Sequence, residues 1–179
     1  MTRTARLALA IAVGSVVAIP LAGCRSQAEI APDPGAGSSS PVTASATPPK
    51  PSGKLRLVAP AADGDVDAIV RAAMGKASAE KRRVVVYVGA TWCEPCQRFH
   101  HAAEKGELDD TFPDVDFLAF DADHDHERLA VAGYTSHYIP LFALPQADGH
   151  ASGMQIEGGI KGDGAVRQIA PRLQHMLEQ

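Results

Sequence analysis

Past residue 54 the spacing of apolar residues changes from one segment to the next, and each change marks an element. Leu55-Arg56-Leu57-Val58 is a short strand candidate. Val66, Ile69, Val70, Ala73, Met74 and Ala77 recur at i, i+3, i+4, i+7, i+8 and i+11, which is one face of a helix. Val84-Val85-Val86-Tyr87-Val88 is a β-branched run of the kind that fills a buried central strand. A helix follows with Phe99, Ala102 and Ala103 on its apolar face, then a strand from Val115 to Phe120. The acidic turn from Asp121 to Asp125, with Asp125 as cap, leads into a short helix from about His126 to Ala132. Ile139 to Leu144 is a fourth strand, Asp148-Gly149 a turn, and Met154-Gln155-Ile156 a fifth strand. Val166, Ile169, Ala170, Leu173 and Leu177 form a last helical stripe, which Pro171 either kinks or begins. The order βαβαβαββα implies an α/β domain, a mixed sheet with helices on both faces.

Before residue 54 no such periodicity exists. Residues 25–53 hold six prolines among Ser, Ala, Thr and Gly, and read as a disordered, partly extended linker. A flexible chain of this length spans roughly 30 Å, and more with proline in it. Residues 1–23 differ again. Arg3 and Arg6 precede an apolar run from Leu7 to Ile19, and Leu21-Ala22-Gly23 places small residues directly before Cys24. This reads as a cleavable export signal. With a cysteine at its end it resembles the lipobox of bacterial lipoproteins, in which Cys24 becomes the lipidated first residue of the mature chain. At roughly 17 residues, with Gly14 and Pro20 inside, the run is short for a retained membrane span. The chain therefore divides into a signal at 1–23, a lipidated cysteine and linker at 24–53, and one domain at 54–179.

Composition and charge narrow the partners. Hydrophobic residues make up 45% of the chain and charged residues 21%, which suits a globular domain. The net charge of −4 argues against an electrostatic grip on nucleic acid. Loss of Arg3 and Arg6 with the signal leaves 15 basic against 21 acidic residues, a charge of −6. Lipid rather than a basic patch would then hold the protein to a membrane, and the resemblance to lipoproteins implies several acyl chains, since one binds only marginally. Arg25 stands where the resemblance would place Asp in inner-membrane lipoproteins, which implies the outer membrane in a Gram-negative cell envelope. Three cysteines are odd for an exported protein, but lipid on Cys24 leaves a single pair, Cys93 and Cys96.

That pair lies in Thr91-Trp92-Cys93-Glu94-Pro95-Cys96-Gln97, directly after the buried-strand candidate and at the start of a helix. From about residue 55 to 178 the chain resembles thioredoxin-fold proteins. The run VVVYVGATWCEPC carries the likeness, together with Ile139-Pro140 downstream, and WCEPCQRF looks closest to the periplasmic thioredoxin-like branch. The resemblance implies the thioredoxin fold, a cis proline at Pro140 beside the sulfurs, and thiol–disulfide exchange on protein substrates without a cofactor. Two positions depart from it. A buried Asp six residues before the first active-site cysteine is replaced here by Tyr87, and its neighbouring lysine by Ala119. A phenol with a pKa near 10 cannot deprotonate the second cysteine at neutral pH. Glu94, His100 or water would have to do so.

Exchange requires a thiolate that attacks a disulfide and a second thiol that releases the mixed disulfide. At a helix N-terminus Cys93 has its anion favoured and is the expected nucleophile; Cys96, one turn in, resolves. Pro95 suits the first turn, where its missing N–H costs nothing. Glu94 puts a negative charge beside the thiolate, which favours the reducing direction. Trp92 and Tyr138 offer an apolar rim for partner chains. No second CxxC and no flavin or nicotinamide motif is present, so electrons would come from, or go to, a separate envelope partner.

Other readings stay open. An inert Cys93–Cys96 bridge would close too small a loop to restrict the unfolded chain much. A copper chaperone of the same fold could use Cys93, Cys96 and His137, although that branch typically spaces its cysteines CxxxC. Zinc on Cys93, Cys96, His124 and His126 would need an H-x-H spacing outside the usual pattern. Gln97 after Cys96 argues against attached haem. Asp-Ala-Asp-His-Asp-His-Glu at 121–127 resembles the start of a calcium loop, but His126 stands where glycine is needed and Ala132 where a bidentate Glu is needed.

Overall fold

The structure, a computed structural model, describes residues 53–179. The signal, Cys24 and nearly all of the linker lie outside the described residues. The elements run β1 (Arg56–Val58), α1 (Val66–Ala79), β2 (Arg83–Gly89), α2 (Glu94–Glu104), β3 (Val115–Asp121), α3 (His126–Val131), β4 (Leu141–Pro145), β5 (Ala151–Glu157) and α4 (Ala165–Leu177). They form one sheet in the order β1-β3-β2-β4-β5. The first three strands are parallel, β4 runs antiparallel to β2, and β5 runs antiparallel to β4. This is the mixed sheet the apolar pattern predicts, and it has the strand order and directions of the thioredoxin fold. Among the described residues no helix is long and apolar enough to cross a membrane.

Strand β2 lies in the middle and is buried on both faces, which is why its sequence is almost unbroken Val. Its side chains alternate between two cores. Val85 and Tyr87 point to one with Phe99, Phe112, Phe117 and Phe142; Val84, Val86 and Val88 point to the other with Val66, Val70, Leu118 and Leu141. Helices α2 and α4 cover the first face, and α1 and α3 the second. At the lower end of the sheet Asp116 accepts two bonds from Arg56 and one from Arg82, all at 2.7 Å. Burial alone would push the Asp116 carboxyl up, but the two guanidinium groups outweigh it and hold the group below its ordinary value.

The structure corrects four local expectations. Strand β4 begins at Leu141, after Pro140, because proline has no N–H for the ladder. Strand β5 is seven residues long rather than three, and its exposed, mixed-polarity edge hides the period. Pro171 lies inside α4, which starts six residues earlier, so it does not mark the helix start. Asp125 occupies the N-cap position of α3 without capping it. Its carboxylate instead accepts the Asp121 N–H at 2.9 Å and the Arg128 guanidinium at 2.8 Å.

The β4–β5 turn is fixed to the body of the domain. Tyr134 donates its hydroxyl to the Gly149 carbonyl at 2.8 Å, and Arg71 reaches the Asp148 carbonyl at 2.9 Å. Gly149 has φ +91°, and a Cβ there would collide with the Asp67 carbonyl of α1.

Candidate active site

The site forms where β2 ends and α2 begins. Cys93 is the N-cap of α2, with extended backbone, and its Sγ accepts the Cys96 N–H at 3.3 Å. A sulfur therefore takes the place usually filled by a Ser or Asp oxygen. Glu94 and Pro95 form the first turn, as the sequence suggests. Cys93 and Cys96 are joined in a disulfide, S–S 2.04 Å and Cα–Cα 5.2 Å. Both residues are buried, Cys93 at 5% and Cys96 at 2% exposure.

Pro140 reaches this end of the sheet through the β2–β4 register. Val88 pairs with Leu141, so Pro140 lies one step further along, level with the last residues of β2. Its bond to Ile139 is cis. Glu157 holds the approach to it, accepting the backbone N–H of His137 at 2.8 Å and of Tyr138 at 3.4 Å.

Trp92 is 67% exposed, yet its indole N–H donates to Asp123 at 2.8 Å. Asp123 is held in turn, since Asp121 accepts its backbone N–H at 2.8 Å and that of His124 at 3.1 Å. The calcium-like run is thus a hydrogen-bonded turn that positions the tryptophan. Its role was invisible in the sequence because Asp123 lies 31 residues from Trp92. Tyr138 and Ile160, 69% and 52% exposed, are further apolar side chains near this end.

Glu94 has partners of its own. It accepts the Gly162 N–H at 3.0 Å and lies 3.7 Å from Arg98, which itself pairs with Asp163 at 2.9 Å. Its charge is therefore partly offset, and its effect on the Cys93 thiolate is smaller than the sequence suggests. The loop that receives it comes close at Gly159, where a Cβ would sit 3.1 Å from the Pro95 side chain. The Gly158-Gly159 pair after a strand is the sequence signal that could have revealed this approach.

Beneath the pair, Tyr87 is 3% exposed and faces Ala119 on β3 and Phe142 on β4. Its hydroxyl donates to the Cys96 carbonyl at 3.4 Å. Burial pushes the phenol above its ordinary range, which keeps it neutral. Beside it opens a cavity of about 660 Å³ whose wall includes Tyr87, Gly89, Cys96, His100 and Ala119. Among the described residues no three His, Cys, Asp or Glu side chains converge as a metal cluster, and Cys93, Cys96 and His137 are not brought together as one.

Residues 66–147 match a family described as thioredoxin-like. No curated protein matches the sequence. Solved structures similar to the chain include oxidised thioredoxin O1 from Arabidopsis thaliana, 21% identical with a TM-score of 0.43, covering 71% of this chain and 97% of that one. A poplar thioredoxin h is 19% identical with a TM-score of 0.44, over 71% of this chain and 99% of its own. With the bridged CxxC at the start of α2, the thioredoxin fold defines the class: the domain is a thiol–disulfide oxidoreductase.

Proposed function

We propose that the protein is a lipid-anchored thiol–disulfide oxidoreductase of the bacterial cell envelope that reduces disulfides in protein substrates. The bridged Cys93–Cys96 pair at the N-terminus of α2 carries this reading. The helix end favours a thiolate at Cys93, and the second sulfur lies next to it to release a mixed disulfide. Exposed Trp92 and Tyr138 supply apolar surface for an extended substrate chain. Reduction is favoured by Glu94, whose charge Arg98 reduces without removing. The electrons come from a separate envelope donor. The anchor rests on Arg3, Arg6, the apolar run and Leu21-Ala22-Gly23-Cys24, and the linker gives the domain reach from the membrane.

Equilibration of the full chain against glutathione buffers measures the potential of the pair. Related couples span roughly −270 to −120 mV. A value below about −200 mV is expected, and one above about −150 mV would assign the protein to oxidation or isomerisation instead. Tight stoichiometric Cu(I) binding that His137→Ala abolishes, with no redox cycling, would hand the site to a copper carrier. Fractionation of cells carrying Cys24→Ala tests the anchor: the domain should leave the membrane fraction, and retention would refute lipidation.

A further inference from the structure

Resolution of a mixed disulfide requires Cys96 to lose its proton, because the thiolate is the attacking species. The groups around it leave few acceptors. Tyr87 touches the Cys96 carbonyl but is held neutral by burial. Glu94 turns to Gly162 and Arg98 and is not part of the cavity wall. Ala119 offers no chemistry. His100 does line that cavity, together with Cys96, one helical turn further along α2. Its ring centroid lies 6.3 Å from that of Tyr87. Glu104, one turn further again, faces His100 Nδ1 at 3.3 Å. Cys96, His100 and Glu104 thus form a single i, i+4, i+8 stripe along the cavity.

We propose that His100, oriented by Glu104, is the proton acceptor for Cys96, acting through water in the cavity; this rests on the oxidoreductase reading above. Glu104 takes the Nδ1–H, which leaves the Nε2 lone pair for the proton. In the resolving step Cys96 Sγ attacks Cys93 Sγ. The Cys93–Cys96 bond forms, the bond from Cys93 to the substrate sulfur breaks, and its electron pair leaves on that sulfur. The Cys96 proton passes through water to Nε2, and the imidazolium then gives it to solvent or to the departing thiolate. A cavity of about 660 Å³ has ample room for such water, since one molecule occupies about 30 Å³. The titratable and charged groups that line the cavity with His100 are Tyr87 from β2, Asp121 from β3, and Arg98, His101 and Glu104 from its own helix; Asp121 is already engaged by the backbone N–H groups of Asp123 and His124. His100 and Glu104 side chains are 43% and 62% exposed, so bulk water competes with the relay and its contribution is modest.

The test uses the reduced full chain with Cys24→Ser, so that only the pair reports. It is mixed with an aromatic disulfide, dithiobis(nitrobenzoate), in stopped flow. Attack by Cys93 releases one coloured thiolate, and resolution by Cys96 releases the second. His100→Ala and His100→Gln should leave the first phase intact and slow the second on the order of tenfold at neutral pH. That is less than a fully positioned base supplies, because water substitutes here. The pH profile of the second phase should move toward the ordinary thiol value near 8.5. Added free imidazole should restore the rate in His100→Ala, which a packing defect would not allow. Glu104→Gln should slow the second phase less, and His101→Ala should change neither phase. An unchanged second phase in both His100 variants overturns the relay. So does slowing without a pH shift or imidazole rescue, or equal slowing in His101→Ala. Release of fewer than two coloured thiolates per parent chain would refute the exchange function itself, and the relay with it.

Discussion

The two faces of the sheet are built from different side chains, and the redox pair stands on only one of them. The face under α2 and α4 is aromatic. Phe142 lies 4.7 Å from Phe99 and 5.1 Å from Tyr87 by ring centroids, and Phe117 lies 5.4 Å from Phe99. Most of these rings meet edge to face, the arrangement ring quadrupoles favour. The opposite face, under α1 and α3, is mainly Val, Leu and Ala. Interlocked rings fix the angle of α2, and with it the cysteines that open it; the aliphatic face fixes only the sheet. Equal losses of stability on the two faces should therefore have unequal consequences for exchange.

The largest effect is expected from Phe142→Ala. Removal of a fully buried ring costs about 3–5 kcal/mol, measured by urea unfolding, and exchange should slow even where the variant remains folded. Asp116→Asn, on the aliphatic side, should cost up to about 3 kcal/mol by leaving the buried Arg82 guanidinium only its longer 3.3 Å ion pair with Asp114, with the exchange rate of the folded fraction unchanged. The same carboxylate gives the acid limit. Its folded-state pKa is lowered, so the stability it contributes is complete above the unfolded value near 3.9 and is lost as pH falls below it. Val86→Ala should cost about 2 kcal/mol and leave exchange intact; slower exchange in this variant would erase the distinction between the faces.

Tyr87→Phe should have the smallest effect, under about 1 kcal/mol, because the lost bond to the Cys96 carbonyl is long. Its signature is in pH. Burial raises the folded-state pKa of both Tyr87 and Tyr134, so their stability is complete below about pH 10 and falls as the unfolded chain ionises above it. Unfolding titrations of Tyr87→Phe should show a shallower alkaline loss. The first exchange phase should be unchanged, since a neutral phenol takes no proton.

Legibility followed sequence distance. The central strand was plain because burial on both faces leaves Val84 to Val88 nearly unbroken, and α1 and α4 because each shows one face to the core. Cys93, Pro95 and Cys96 could be placed because a helix start is a local event. Pairings across the fold could not. Trp92 with Asp123, Glu94 with Gly162 and Arg56 with Asp116 are 31, 68 and 60 residues apart, and nothing local announces them. The edge strand β5 shows only three residues of pattern because a half-exposed edge has no consistent inner face. His100 stood in between: the missing acid at Tyr87 raised the need for a proton acceptor, but only the cavity wall joined it to Cys96.

Hairpin tips are the usual places to splice in a tag or reopen a chain. The turn at Asp148-Gly149 is unsuited to either, because Tyr134, Arg71 and the α1 backbone at Asp67 all meet it. It works as a rivet between the antiparallel edge and the first helix. New termini cut there would release β5 and, with it, the Glu157 carboxylate that holds the backbone of His137 and Tyr138 just before Pro140. A reporter or fusion partner is better carried beside Gly64, where a Cβ would meet nothing within 4 Å and a single guanidinium, that of Arg128, reaches the backbone carbonyl at 3.3 Å; a φ of +103° calls for the glycine itself to be kept.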